Sequence, residues 1–337
     1  MDSLRFGILS TARVGRRRVV PAMQQAPNIV VRAVASRDGE RAHAFARTLN
    51  IPKAYGCYED LLADPEVDAV YIPLPNALHC QWTVKAAQAG KHVLCEKPLA
   101  SNAQEAGEMI AACEANHVLL MEAFMYRFHP QNEHVLALIQ GGAIGPVRML
   151  RAVFTFTIGS SNIRLDAALA GGSLMDVGCY CVSVARTVVG AEPRAVSAFA
   201  HFGAASGVDE AMAGVLEFKD GILATFECGF RVPFRAHYEV VGERARIEVP
   251  RPFITENQAT RIMLHHPDDR TQSHTFPPLD QYTRMVEHFA GAVLNGTALR
   301  YTPGEARAQM RVLDALAESA KTGKAITLSD SQYQSEI

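Results

Sequence analysis

Apolar and polar positions follow two alternating periods along the first third of the chain. Short apolar runs at Phe6–Ser10, Ile29–Ser36, Val67–Pro73, His92–Glu96 and Val118–Ala123 read as strands. Between them, apolar residues three and four apart predict helices over Val14–Ala26 (despite Pro21), Asp38–Leu49, Ala77–Ala89 and Asn102–Ala115. The strands are near-continuous β-branched or aliphatic runs, as in strands covered on both faces. Strand and helix alternation at this spacing implies right-handed crossovers and a doubly wound parallel sheet, an α/β domain over residues 1–123.

The pattern changes after about residue 123. A helical stretch, His129–Gln140, leads into the alternating run Val147–Phe156, and Gly171–Val189 reads as one helix. Strand-like runs follow at Ala195–Phe202, Ala211–Phe218, Ile222–Gly229, Ala236–Val241 and Ala245–Val249, with Lys219-Asp220-Gly221 as a hairpin turn. Helices near Leu279–Leu294 and Pro303–Lys321 close the chain. Residues 124–337 are therefore expected to form an α+β domain with a large open, mainly antiparallel sheet and helices on one face. No linker-like stretch separates the halves, so close packing with a ligand cleft at their boundary is expected.

Composition narrows the functional class. The 337 residues suffice for two domains, and an apolar share of 48% excludes disorder. The 33 Lys and Arg against 35 Asp and Glu give a net charge of −2, which argues against nucleic acid or an acidic membrane as partner. No uninterrupted apolar run approaches the ~20 residues of a membrane span. The seven cysteines are scattered, with no CxxC, and fit free thiols in a reducing cytoplasm. No secretory signal precedes the first strand. No His, Asp or Cys set has metal-ligand spacing, so no metal is expected, and the pair His265-His266 reads as surface or loop residues.

The first strand–helix junction reads Gly7-Ile8-Leu9-Ser10-Thr11-Ala12-Arg13-Val14-Gly15. A dinucleotide fingerprint wants glycine at 10, 12 and 15, and here Ser10, Ala12 and Gly15 stand in. Small side chains let the backbone approach a pyrophosphate at the helix N-terminus. The second strand ends Ser36-Arg37-Asp38. An NAD site normally puts a carboxylate at that tip; a hydroxyl and a guanidinium suit a 2′-phosphate instead. Arg41, one turn on, is placed to assist, and Arg13, in the first turn, to cover the adenine or the phosphates. Asp38 either reaches a ribose or caps the next helix, and the cap is favoured. NADP is accordingly preferred over NAD.

Two further segments carry chemistry. Cys95-Glu96-Lys97-Pro98 puts a lysine at the carboxyl end of a parallel strand, where such sheets bind ligands, with a Lys–Pro bond that can be cis. In Gly171-Gly172-Ser173-Leu174-Met175-Asp176-Val177-Gly178-Cys179-Tyr180, a helix would put Asp176 and Tyr180 on one face. A phenol of pKa near 10 becomes a useful base when a cation favours its phenolate. The bland alternative is a capping Asp and a core Tyr.

Together these segments resemble the glucose–fructose oxidoreductase / inositol dehydrogenase / rhizopine-catabolism (Gfo/Idh/MocA) family over essentially the whole chain. The resemblance rests on Glu96-Lys97-Pro98, Glu122-Ala123-Phe124-Met125-Tyr126-Arg127-Phe128-His129-Pro130 and the stretch Ala170–Tyr180. It is nearest the branch of dimeric dihydrodiol dehydrogenase, NADP-dependent xylose dehydrogenase and glucose–fructose oxidoreductase. The resemblance implies an N-terminal Rossmann domain, a C-terminal open-sheet domain, and Lys97 and Tyr180 as the catalytic pair beside Asp176. It places Ser10, Thr11, Ala12, Arg13, Val14, Ser36, Arg37, Arg41, Leu74, Asn76, His79, Glu96, Lys97, Glu122 and Arg164 at the cofactor. Asn76 and His79 would lie at the nicotinamide ribose. Arg127, Asp176, Tyr180 and Tyr282 would border a sugar or vicinal-diol substrate. A homodimer or homotetramer through the open sheet is expected. The alternatives are a non-catalytic NADP-binding sensor or co-regulator, a cofactor-retaining oxidoreductase, and an oxidation–elimination enzyme on the same fold.

Overall fold

Six short strands build the first sheet in a computed structural model that describes residues 3–328. They are β1 (Leu4–Leu9), β2 (Ile29–Ala35), β3 (Lys53–Tyr55), β4 (Ala69–Ile72), β5 (His92–Glu96) and β6 (Leu120–Ala123), all parallel, in the order β3-β2-β1-β4-β5-β6. The connections reverse direction between β1 and β4, which opens a crevice at the carboxyl ends of those strands. The helices are α1 (Val20–Gln25), α2 (Gly39–Leu49), α3 (Tyr58–Ala63), α4 (His79–Gln88) and α5 (Ala103–Ala115). The stretch expected as one helix over Val14–Ala26 instead opens with a wide turn of π type, Gly15–Val19, before α1. Pro21, with no N–H to donate, thereby falls in the first turn of α1, where none is needed. Asp38 caps α2 by accepting from the Arg41 amide, as favoured from sequence. Asn102 caps α5. The short β3 and α3 lack a recognisable apolar period and were not expected.

The second unit is a nine-stranded sheet. Its strands are β7 (Val147–Thr155), β8 (Ala195–Phe202), β9 (Asp209–Glu217), β10 (Leu223–Gly229), β11 (Arg235–Gly242), β12 (Arg246–Val249), β13 (Thr260–His265), β14 (Thr271–Phe276) and β15 (Ile326–Thr327). The order is β14-β13-β12-β11-β7-β10-β9-β8-β15. Only β7 and β10 pair in parallel, so the mainly antiparallel sheet is as expected. One face carries Leu150, Ala152, Phe154, Leu216, Ala224 and Phe226, all buried. It is covered by α7 (Cys179–Val189), with α6 (Pro130–Gln140) alongside β13. The opposite face leaves Met149, Phe199, Val215 and Leu223 exposed.

His265 is partly exposed in β13, and its Nε2 stands 3.2 Å from Glu248. Gly171–Val189 is not one α-helix: a wide turn, Leu174–Gly178, precedes α7. Ala167–Val189 does have the length and hydropathy of a membrane span, yet α7 packs against β7 and β10 with almost every residue buried.

The two compact units do not divide at one point in the chain. The first comprises residues 1–125 and 280–307, the second 126–279 and 308–337. Helix α8 (Gln281–Asn295) therefore belongs with the first sheet, although sequence order placed it in the second domain. Its Phe289 is fully buried with its ring 5.8 Å from that of Phe6 in β1. Burying such a side chain is worth about 2–3 kcal/mol. The unit boundary falls inside the last helix, α9 (Pro303–Thr322).

Candidate active site

In the first unit, the turn after β1 does what a glycine fingerprint does without its first glycine. Ser10 has φ +142°, a conformation that side chains other than glycine rarely adopt. Its hydroxyl holds it there, donating to the Pro73 carbonyl at 3.1 Å and accepting from the Ala12 amide at 3.1 Å. Thr11, Ala12 and Val14 are half-buried along this turn, and Arg13 is exposed. At the tip of β2, Ser36 is buried and accepts from the Asp38 amide at 3.3 Å. Arg37 and Arg41 are exposed. Arg37 hydrogen-bonds the Tyr58 hydroxyl; burial pushes that phenol up, and Arg37 and Arg41 oppose the shift. Tyr58 is itself wedged edge-on against Trp82, ring centroids 4.7 Å apart. Asp38 is turned into its own helix. The free carboxylate of an NAD site is thus missing from this tip, and two arginines and a serine stand there. These residues fit a 2′-phosphorylated dinucleotide.

The carboxyl ends of β4 and β5 hold the second cluster. The Glu96 carboxylate accepts from the Tyr71 hydroxyl at 2.6 Å and from the Lys97 amide at 3.2 Å. Burial, then the Glu96 charge, pushes the Tyr71 phenol well up. Tyr282 at the start of α8 is raised the same way, by burial and then Glu96, with Arg18 opposing. The Glu96 charge thus acts on both phenols, Tyr71 and the sequence-assigned Tyr282, within this unit. The Lys97–Pro98 bond is cis. Glu122, buried in β6, accepts from the Leu99 amide at 2.9 Å and fixes the chain just beyond. Asn76 is half-buried in the short turn before α4.

His79 requires a correction. It is fully buried, with Nδ1 3.0 Å from the Pro98 carbonyl and Nε2 2.9 Å from the Leu74 carbonyl. It offers no atom to a ribose; it ties the chain after β4 to the chain after β5. Leu74, also buried, is one end of that tie.

In the second unit, Tyr180 sits in the first turn of α7 and is 4% exposed. Its ring is walled by Tyr126, Phe154 and Phe253 at centroid distances of 5.6, 5.2 and 5.2 Å. Tyr126 is anchored by its hydroxyl, which donates to Ser183 at 2.8 Å. Four residues before Tyr180, Asp176 accepts from Arg164 Nε at 2.6 Å. The sequence places Arg164 at the cofactor; in the structure its guanidinium bonds the carboxylate four residues before the tyrosine. Arg127, expected at the substrate, is 5% exposed and donates to Thr187 of α7 at 3.0 Å, so it braces the helix instead.

A residue that sequence reading missed completes this cluster. Asp209, at the start of β9, accepts from the Ser173 hydroxyl and the Leu174 amide, both at 2.7 Å. Gly172 has φ +116°, and a Cβ there would lie 2.2 Å from Asp209 Oδ1. The glycine is required by the carboxylate. A lone Asp some thirty residues downstream gives no local signal of this contact.

A parallel sheet with a phosphate-fitting turn, a lysine at a strand end and a separate sheet domain bearing a tyrosine define a dinucleotide-linked oxidoreductase. Residues 4–124 match the model of the Gfo/Idh/MocA oxidoreductase family's NAD-binding Rossmann fold, and residues 132–248 match the Gfo/Idh/MocA C-terminal domain. The chain belongs to this family. It is 45% identical to a D-xylose 1-dehydrogenase (NADP(+)) of Haloferax volcanii, over 96% of this chain and 99% of that one. It is 38% identical to a trans-1,2-dihydrobenzene-1,2-diol dehydrogenase of Xenopus laevis, over 73% and 75%. A crystal structure of a 3-ketoreductase from Actinomadura kijaniata, in complex with NADP and TDP-benzene, superposes with a TM-score of 0.90 at 31% identity, covering 94% and 98%. Solved variants of that ketoreductase include one with a tyrosine replaced by phenylalanine and one with a lysine replaced by alanine.

Proposed function

We propose that this protein is an NADP-dependent dehydrogenase or reductase acting between a hydroxyl and a carbonyl carbon of a sugar or vicinal diol. Tyr180 is the acid/base, Lys97 assists it, and Asp176 orients Tyr180 or binds a substrate hydroxyl. The observation that carries the reading is the setting of Tyr180. Its ring is held by three aromatic side chains, with the Arg164–Asp176 pair one turn before it. The identity to an NADP-dependent xylose dehydrogenase supports the cofactor and the sugar class.

NADP, when bound, supplies the hydride acceptor or donor. Ser10–Val14 hold its pyrophosphate at the helix start, and Arg37, Arg41 and Ser36 hold its 2′-phosphate. Tyr180 takes the proton of the substrate hydroxyl in oxidation and returns it in reduction. A cation near the phenolate makes that transfer possible at neutral pH, which is the part assigned to Lys97. The exposed apolar strip on the open sheet supports a homodimer or homotetramer, and the seven free thiols suit a cytoplasmic location.

The test is absorbance at 340 nm with NADP⁺ or NAD⁺ over a panel of aldoses and trans-diols, and with NADPH over carbonyl compounds. Tyr180→Phe should lower kcat by about 10²- to 10⁴-fold with NADP affinity unchanged. Full turnover by that variant overturns the assignment. A flat trace in both directions despite NADPH binding would favour the sensor reading.

A further inference from the structure

We propose that the buried carboxylate of Asp209 is a positioning residue for catalysis, the post that fixes the Asp176–Tyr180 segment. The proposal rests on the reading of Tyr180 as acid/base. Asp209 belongs to β9, a strand held on both sides, by β8 and β10. Its Oδ2 accepts from the Ser173 hydroxyl and from the Leu174 amide, the first residue of the wide turn. Its Oδ1 occupies the space a side chain at residue 172 would need. The same carboxylate thus ends the loop, satisfies an otherwise orphaned amide of the turn, and sets where that turn begins.

From that point the geometry is carried forward by a single winding. Asp176 donates its amide to the Gly172 carbonyl at 3.1 Å. Gly178 lies against Cys228 of β10, and α7 then presents Tyr180. A wide turn has one more residue per hydrogen-bonded ring than an α-helix. Losing its anchor lets it rewind to the commoner form, which rotates every later side chain. Burial raises the Asp209 carboxyl against its own hydrogen bonds, the cost of putting a charge here. Nothing in α7 itself demands a buried acid on the neighbouring strand.

Two variants probe the post from opposite sides. Asp209→Asn keeps one oxygen acceptor, and Ser173→Ala removes one donor while leaving the carboxylate on Leu174. Each should lower kcat about 10- to 100-fold, the scale of a displacement near 1 Å at a reacting group. The Kd for NADPH, read by fluorescence, should not move, because Ser10–Val14, Ser36, Arg37 and Arg41 lie in the other unit. Gly172→Ala should resemble them. Combined with Asp209→Ala it should be less than additive, since the space it needs has been vacated. Wild-type kcat in both Asp209→Asn and Ser173→Ala overturns the proposal. So does a loss of kcat that follows only the fraction of unfolded protein in thermal melts. If Tyr180→Phe is itself fully active, the underlying reading has failed; if it is inactive while Asp209→Asn and Ser173→Ala are normal, only the positioning role has.

Discussion

His129 is an imidazole whose surroundings decide its charge. It is fully buried, and its Nδ1 accepts from the Gln131 amide at 3.2 Å to cap α6. Burial pushes it down to about 4, with Glu133 opposing. The unfolded chain, at about 6.5, binds the proton first. The associated stability is therefore fully present above about pH 6.5 and is lost as pH falls toward 4, an effect on the order of 2–3 kcal/mol. His129→Asn, which keeps a cap acceptor, should flatten the pH dependence of urea unfolding across that window; an unchanged slope would contradict the account. Arg37 yields a prediction of a different kind. Arg37→Ala should weaken NADP about 10- to 100-fold by fluorescence titration, the range of a lost charge-assisted hydrogen bond, and leave NAD little changed. Equal losses for the two cofactors would refute the 2′-phosphate role. The Asp38 cap was legible because it depends on near neighbours: its side chain and the Arg41 amide are three residues apart. His79 and Arg127 were misread because the direction of a side chain, inward or outward, is set by distant elements. His79 meets two carbonyls from two loops. Arg127 meets Thr187.

Elements were legible where the apolar period was long. Every strand of the first sheet except the three-residue β3 was read, as were the strands from β7 to β12. Strand β14 was not, because Thr271-Gln272-Ser273-His274-Thr275-Phe276 is an edge strand with little to bury. The wide turn Leu174–Gly178 was read as α-helix because an apolar pattern does not distinguish the two windings over five residues. Packing across to the sheet restricts the far end of that turn. A Cβ on Gly178 would come within 2.9 Å of Cys228 Sγ and 3.0 Å of Leu174 Cδ1. Gly178→Ala should accordingly cost about 1–3 kcal/mol in thermal or urea melts. Cys228→Ala in the same chain should recover part of that loss, since it clears one of the two obstacles. Full additivity of the pair would show that the contact with β10 is not what restricts residue 178.

The whole molecule presents one open sheet face divided by chemistry. Across β7, β8, β9 and β10 lie Met149, Phe199, Val215 and Leu223, with Phe199 76% exposed. Between β10, β11 and β12 the same side of the sheet carries ion pairs, Arg235–Glu227 at 3.0 Å and Arg246–Glu239 at 2.6 Å. An apolar strip with a charged border is the anatomy of an association surface. The homodimer or homotetramer proposed above, if formed through this face, should shift toward monomer on Phe199→Arg by light scattering, at unchanged far-UV circular dichroism. An unaltered oligomer would move the interface elsewhere. The fold class and the two-sheet plan were readable at this scale, but the division of the chain was not. Sequence order assigns α8 to the sheet that precedes it. The contact of Phe289 with Phe6 assigns it to the other.

That contact also has a consequence in time. A ribosome delivers β1 first and α8 only after the whole of the second sheet up to β14 has been made. At roughly 5–20 residues per second, the interval is about 15–50 seconds. Throughout it, the nascent dinucleotide half waits with Phe6 missing its ring partner. The half made first is therefore among the last to be finished.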